Sequence, residues 1–413
     1  MSDMRRVVEA STFFDGSRLK IARQLAGLRK SQLAELIEKS PTAVAAWESG
    51  AKRPTPTNVA QLALGLSVDP GFFSARPVDL SSSTSLPHFR SLRSTSQLAR
   101  DQASAYGLLA VDIAAAFERH VEFPDANIPA FPVDLAANGD GAPEAAARAL
   151  RDSWALESGP LGHLVRLLEN HGVLVVFSAP QTSAVDAYSF DCPLRPVVVL
   201  NPVKRDYYRQ RFDVAHELGH LVMHADAEPG GRTVEEQANR FAAELLMPAD
   251  EISELLPTSM GRHAWTTFGQ LKEQWGVSIQ ALLYRARHLG RLGDVSYRNA
   301  MISLSGKGWR RDEPGLVTVI EQPSLLPHAL DVLQGAGISA DELIDQSRVP
   351  AELFEIVTAR TPSEVAVPNT TFDDHGPAPR NVVSLLPRVS ARKVSEQQKH
   401  HPELEPHSKG AER

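Results

Sequence analysis

Apolar positions in the first part of the chain recur at helical spacing, in runs too short for long helices, so Arg18 to Phe73 reads as about five short helices. Within it Leu33, Ala34 and Ile37 form one apolar face, and Val44 with Trp47 form another. Two helices can therefore pack across a turn at Glu38 to Ser40. Ser40 is a good helix cap and Pro41 a good first helical residue, so a helix is expected to start there. The run ARPVDLSSSTSLPH that follows has the proline and serine content of a linker. Thr95 to His120 is helical again, with Leu98, Tyr106, Leu109, Ile113 and Phe117 suggesting a connecting helix with one buried face. FPDANIPAFPVDLAANGDGAP then interrupts the pattern.

From Glu144 the pattern predicts two helices, strands at Gly172 to Ala179, Ala187 to Phe190 and Pro196 to Asn201, and a long helix running to His224. VLVVF and VVVL are β-branched runs that suit a buried sheet. TVEEQANRFAAELLMP is a further helix, and FGQLKEQWGVSIQALLYRARHLGRL pairs two amphipathic helices across Gly276. A weaker helical pattern extends beyond Met301 to about Thr361. The expected organisation is multidomain: an all-α module at 16–74, a linker and connecting helix at 75–143, an α+β domain at 144–300, a helical C-terminal region at 301–367, and a polar, proline-rich tail at 368–413 that should be disordered.

A length of 413 residues leaves room for two or three domains, and 42% hydrophobic with 23% charged residues is a globular composition. The net charge of -7 argues against a uniformly basic nucleic-acid coat, though not against a local basic module. A single cysteine, Cys192, excludes an intrachain disulfide and any CxxC metal or redox pair. Neither a signal-peptide core nor an apolar run approaching the roughly 20 residues of a membrane span is present. The expected compartment is the cytoplasm, with no membrane partner.

The segment RFDVAHELGHLVMH changes the picture most. His216 and His220 are four residues apart, so on a helix both imidazoles lie on one face, as two ligands of one tetrahedral zinc require. Glu217, beside the first histidine, is placed to act as general base toward a water acidified by the metal, which implies amide hydrolysis. A catalytic zinc needs a third protein ligand, and Glu235 on the next helix is the candidate. Asn239, one turn beyond Glu235, is placed to orient a ligand, whereas Glu236 should point roughly 100° away into solvent. Gly219 is expected to give room beside the metal. His224 continues the helix face, but Met223 stands where a metzincin has glycine, so His224 is read as structural or as a support for the ligands.

RFDVAHELGHLVMH and the later EEQANRFAAELLMP resemble the ImmA/IrrE family of metallopeptidases, less sharply over Glu144 to Leu292. The resemblance implies a zincin-like fold, a Zn2+ cofactor held by His216, His220 and Glu235, and Glu217 as the catalytic glutamate. It also implies a protein substrate, namely a repressor of the helix-turn-helix type.

The amino-terminal stretch GLRKSQLAELIEKSPTAVAAWESGAKRP resembles the XRE, or lambda-repressor-like, helix-turn-helix family, ending in its WExGxxxP pattern. That implies double-stranded DNA as a partner and dimerisation. Between Gly16 and Leu64 eight basic residues, Arg18 and Arg23 among them, face three acidic ones, which favours a phosphate-facing surface. The residues assigned to the DNA are Arg29, Lys30, Gln32, Ser40, Thr42, Ala43, Lys52 and Arg53. Lys30 departs from the usual glutamine, and Glu38 occupies a turn position where glycine is common. Thr42, Ala43, Ala45 and Ala46 offer few long polar groups to base edges, so phosphate contacts and shape should dominate.

The helix pair at 267–290 resembles a second helix-turn-helix. Its Arg285, Arg287 and Arg291, with Arg298 beyond, are read as a basic solvated face ahead of a phosphate-binding one. Cys192 has no activating neighbour and is expected to be packed. The expected function is a DNA-binding regulator with a zinc endopeptidase domain that cleaves a repressor or other regulatory protein. The competing expectation is a non-enzymatic transcription factor or antitoxin-like protein whose metal domain senses a ligand or partner.

Overall fold

The structure is a computed structural model that describes residues 2–74, 88–89, 96–134, 141–179, 187–204, 206–225, 227, 230–310, 312–315 and 319–361. The tail expected to be disordered, 368–413, lies outside the described residues, as does most of the linker after 74.

Five helices open the chain: α1 (Ser2–Thr12), α2 (Gly16–Leu25), α3 (Lys30–Leu36), α4 (Pro41–Glu48) and α5 (Pro56–Leu66), followed by a 3-10 turn at Pro70–Ser74. Asp15, Ser40 and Thr55 cap α2, α4 and α5 by accepting backbone N–H bonds, and Pro41 and Pro56 occupy first helical positions. The residues expected to face one another across the turn, Leu33, Ala34, Ile37, Val44 and Trp47, are all buried. Glu38 holds a positive φ of 55°, the left-handed turn for which glycine is better suited. Helix α1 precedes the module as read from the sequence and, among its described side chains, buries Val7 and Ala10, against α5 and the 3-10 turn.

Helix α6 (Gln97–Phe117) is buried on more than the one face its pattern suggested, because it is packed from several sides. It touches α2, strands β2 (Leu174–Phe177) and β4 (Val197–Leu200), and three late helices, α15 (Leu325–Gly335), α16 (Ala340–Ser347) and α17 (Ala351–Thr358). Small residues, Ala103, Gly107, Ala110 and Ala114, let those neighbours approach. Two buried tyrosines tie it to the sheet: Tyr106 Oη donates to the Phe177 carbonyl (2.6 Å) and Tyr188 Oη to the Ala103 carbonyl (2.5 Å).

The sheet has the order β1–β3–β4–β2, with β1 (His88–Phe89) and β3 (Ala187–Phe190); β2 and β4 are parallel and the other pairs antiparallel. It separates two apolar cores by the two-residue alternation of strands. Leu174, Val176, Tyr188, Phe190, Val197 and Val199 face the core shared with α6 and the amino-terminal helices. Val175, Phe177, Ala187, Val198 and Leu200 face the other core. That second core is covered by α7 (Ala142–Ser153), α8 (Leu164–Asn170), α9 (Tyr207–Met223), α10 (Arg232–Leu246), the short α11 (Ala249–Ile252), α12 (Ala264–Trp275), α13 (Ile279–His288) and α14 (Asp294–Gly306). No described helix is long and apolar enough to cross a membrane.

Candidate metal centre and helix-turn-helix surface

Helix α9 carries the HExxH segment across the sheet, against β3 and β4. Its amino end is capped by Asp206, whose carboxylate accepts from the Tyr208 and Arg209 N–H groups. It is anchored by buried Arg211, which donates to the carbonyls of Leu161, Gly162 and Gly276 and to Glu321 Oε1. The helix therefore enters the core with fixed rotation.

His216, Glu217 and His220 are fully buried. His216 Nε2 and His220 Nε2 lie 3.1 Å apart, and Glu235 from α10 brings its carboxylate to 3.5 Å from the first and 3.6 Å from the second. The potential ligand atoms of these three residues fall within 4.8 Å of one another. Two imidazole nitrogens and a carboxylate converging at such distances suit a divalent cation, and the mix of nitrogen and oxygen donors suits zinc. Close approach of α10 to α9 makes this convergence possible. A Cβ added at Gly219 would stand 2.9 Å from the Phe241 ring, so the glycine makes room for α10, not for a metal as the sequence suggested.

Both histidines and Glu217 are held from behind. His216 Nδ1 is 3.1 Å from Asn239 Oδ1, and His220 Nδ1 is 3.0 Å from His224 Nδ1. His224 in turn reaches Gln237 Oε1 (3.0 Å), and burial pushes its imidazole below the usual histidine range. Ser189 Oγ on β3 donates to Glu217 Oε2 at 2.8 Å. Ser189 and Gln237 were not singled out in the sequence. A hydroxyl in a strand and an amide in a helix carry no local signature, and each meets its partner only through the tertiary fold. Glu236 is exposed, as expected from its position on α10.

The amino-terminal module presents a mixed surface. Arg29, Thr42 and Lys52 are exposed, Ala43 is half-buried, and Lys30 is half-exposed with Nζ 3.2 Å from Glu48. Three of the residues assigned to DNA have internal bonds: Gln32 accepts from the Arg29 N–H, Ser40 caps α4, and Arg53 donates to the Thr12 carbonyl. Arg18 and Arg23, counted in the basic surplus, are buried on Asp112 and Glu48 and cannot face phosphate. The basic surface is correspondingly smaller than the count suggests.

In the later helix pair the arginines divide. Arg285 is buried against Glu244 and Arg291 is partly buried beside Glu254, so of the four only Arg287, in an open pair with Asp294, and Arg298 fit a solvated basic face. Cys192 is buried, its Sγ donates to the Arg195 carbonyl, and burial pushes its thiol up, away from the reactive thiolate.

With the geometry in place, comparison with known proteins adds two findings. Residues 168–287 match a peptidase family model described as the IrrE N-terminal-like domain, a span that contains His216, Glu217, His220 and Glu235. Residues 19–73 match a helix-turn-helix family model. No match is found among curated proteins. The chain thus joins an XRE-like helix-turn-helix and an IrrE/ImmA-like metallopeptidase-type domain in one polypeptide.

Proposed function

We propose that this protein is a DNA-binding regulator whose second domain is a zinc endopeptidase acting on a regulatory protein, in the first instance a helix-turn-helix repressor. The observation that carries this reading is the convergence of His216, His220 and Glu235 beside a buried Glu217. His216, His220 and Glu235 would hold the metal. When bound, zinc would polarise an amide carbonyl and make water nucleophilic near neutral pH. Glu217 would take up the proton of the attacking water and pass it to the departing amine. The Ser189 hydroxyl, bonded to Glu217 Oε2, fixes the carboxylate plane so that the other oxygen can take the proton. The surrounding apolar core keeps bulk water out. At the other end of the chain, Arg29, Lys30, Thr42, Ala43 and Lys52 would meet DNA, mainly at phosphates.

Glu217→Gln tests the reading. The variant should retain wild-type zinc content, while truncated regulatory proteins that accumulate in cells bearing the wild type disappear, a loss of at least about a hundred-fold in cleavage. Identical fragment patterns with both forms would remove the peptidase from the proposal.

One observation favours the second reading, a non-enzymatic regulator whose metal domain senses a ligand or partner. The chain's own β1 is hydrogen-bonded to β3 with His88 opposite Ser189, so the sheet edge beside Glu217 is already paired. An extended peptide could not add there as a strand without displacing it.

A further inference from the structure

Behind His220 runs a chain of hydrogen bonds whose direction follows from which atoms can donate. Gln237 Nε2 donates to the Asp134 carbonyl at 3.1 Å, which turns Gln237 Oε1 toward His224 Nε2, 3.0 Å away. An amide oxygen only accepts, so His224 Nε2 carries a hydrogen, and an imidazole with a single ring hydrogen there has its lone pair on Nδ1. That lone pair is 3.0 Å from His220 Nδ1, which must then carry the hydrogen of His220. The remaining nitrogen, His220 Nε2, is left as a lone pair directed at His216 and Glu235. The carbonyl at the start of the chain is itself fixed. The stretch leading to Asp134 is pinned to α9 by the Phe131 N–H donating to the Val222 carbonyl at 2.8 Å.

We propose that the Asp134 carbonyl, Gln237 and His224 form a positioning relay that holds His220 as its Nδ1–H tautomer and so presents Nε2 to a metal. The proposal rests on His216, His220 and Glu235 being ligands. His216 reaches the same state through one bond to Asn239, so α10 contributes a ligand in Glu235 and a support for each histidine in Gln237 and Asn239. Without the relay, His220 would be free to carry its hydrogen on Nε2, and binding a cation would then require a tautomer switch in a packed core.

The test combines imidazole nitrogen NMR of the metal-free full chain with zinc affinity measured against a competing chelator. In the wild type His220 should show a protonated Nδ1 and a bare Nε2. Gln237→Met should lose that preference and bind zinc about 10- to 100-fold more weakly. His224→Phe should do the same, and the double variant should be no worse than His224→Phe alone, since residues in one chain of bonds are not additive. A wild-type His220 with its hydrogen on Nε2 overturns the relay, whether or not the variants fold. Additive losses in the double variant overturn it as well. A wild type with the expected tautomer that binds no zinc would instead defeat the ligand reading and leave the hydrogen-bond relay standing.

Discussion

Helices α3–α4 and α12–α13 are two versions of one local design, and their surroundings make them different objects. Both place a short helix, a left-handed turn residue and a serine-capped second helix in succession. At the first pair the turn residue is Glu38 in open surroundings, and α4 begins with an exposed Ser40, Pro41 and Thr42. At the second the turn is Gly276, where a Cβ would meet the Arg211 guanidinium at 2.9 Å. The amino end of α13 is also already occupied by an anion. Glu313 accepts from the Ile279 and Gln280 N–H groups and pairs with buried Lys272. A helix amino terminus is a natural phosphate site only while its N–H groups are free to take one. The first pair can meet DNA, whereas the second is a packing unit of the metal domain.

Four changes would break or sharpen that contrast. Arg285→Met should cost about 3 kcal/mol, because it strips buried Glu244 of a partner, and should leave DNA binding by the folded protein unchanged. Denaturant unfolding together with DNA retardation reads both, and lost DNA affinity at wild-type stability would return α13 to the list of DNA-reading helices. Lys52→Ala should weaken DNA binding a few-fold, roughly 1 kcal/mol, and lower the salt slope by about 1, while Arg298→Ala leaves the slope alone. Equal slopes for wild type and Lys52→Ala would take that lysine off the DNA. Glu38→Gly should stabilise the protein by about 0.5 kcal/mol, since glycine tolerates the 55° φ and offsets part of that gain through its freer unfolded chain. A lower melting temperature in this variant would mean that Glu38 makes contacts that outweigh its strain.

The same contrast marks where the sequence was legible. Strands β2 and β4 could be read because β-branched runs beside Gly172 and Pro196 leave few alternatives. The pair His216 and His220 could be read because ligands on one helix face must be a turn apart. Glu235 needed a helix register on a separate element. Ser189 and Gln237 were out of reach, since their partners are 28 and 13 residues away along the chain and nothing local marks them. Charge was the least legible property. Arginines at 18, 23 and 285 look alike in a count, yet all three are buried on carboxylates brought to them by distant elements: Asp112, Glu48 and Glu244.

Helix α6 has a consequence for how the chain can be divided. One of its flanks carries Asp112, the buried partner of Arg18, while Tyr106 and the Ala103 carbonyl bind the sheet that backs α9. The amino-terminal helices and the sheet's rear face thus draw on the same interior. Cutting between them would not release two finished pieces. It would leave each with an open wound of apolar surface, so calorimetry of residues 1–367 should register their melting as one event, and the DNA-reading end would lose its shape whenever the metal domain loses its own.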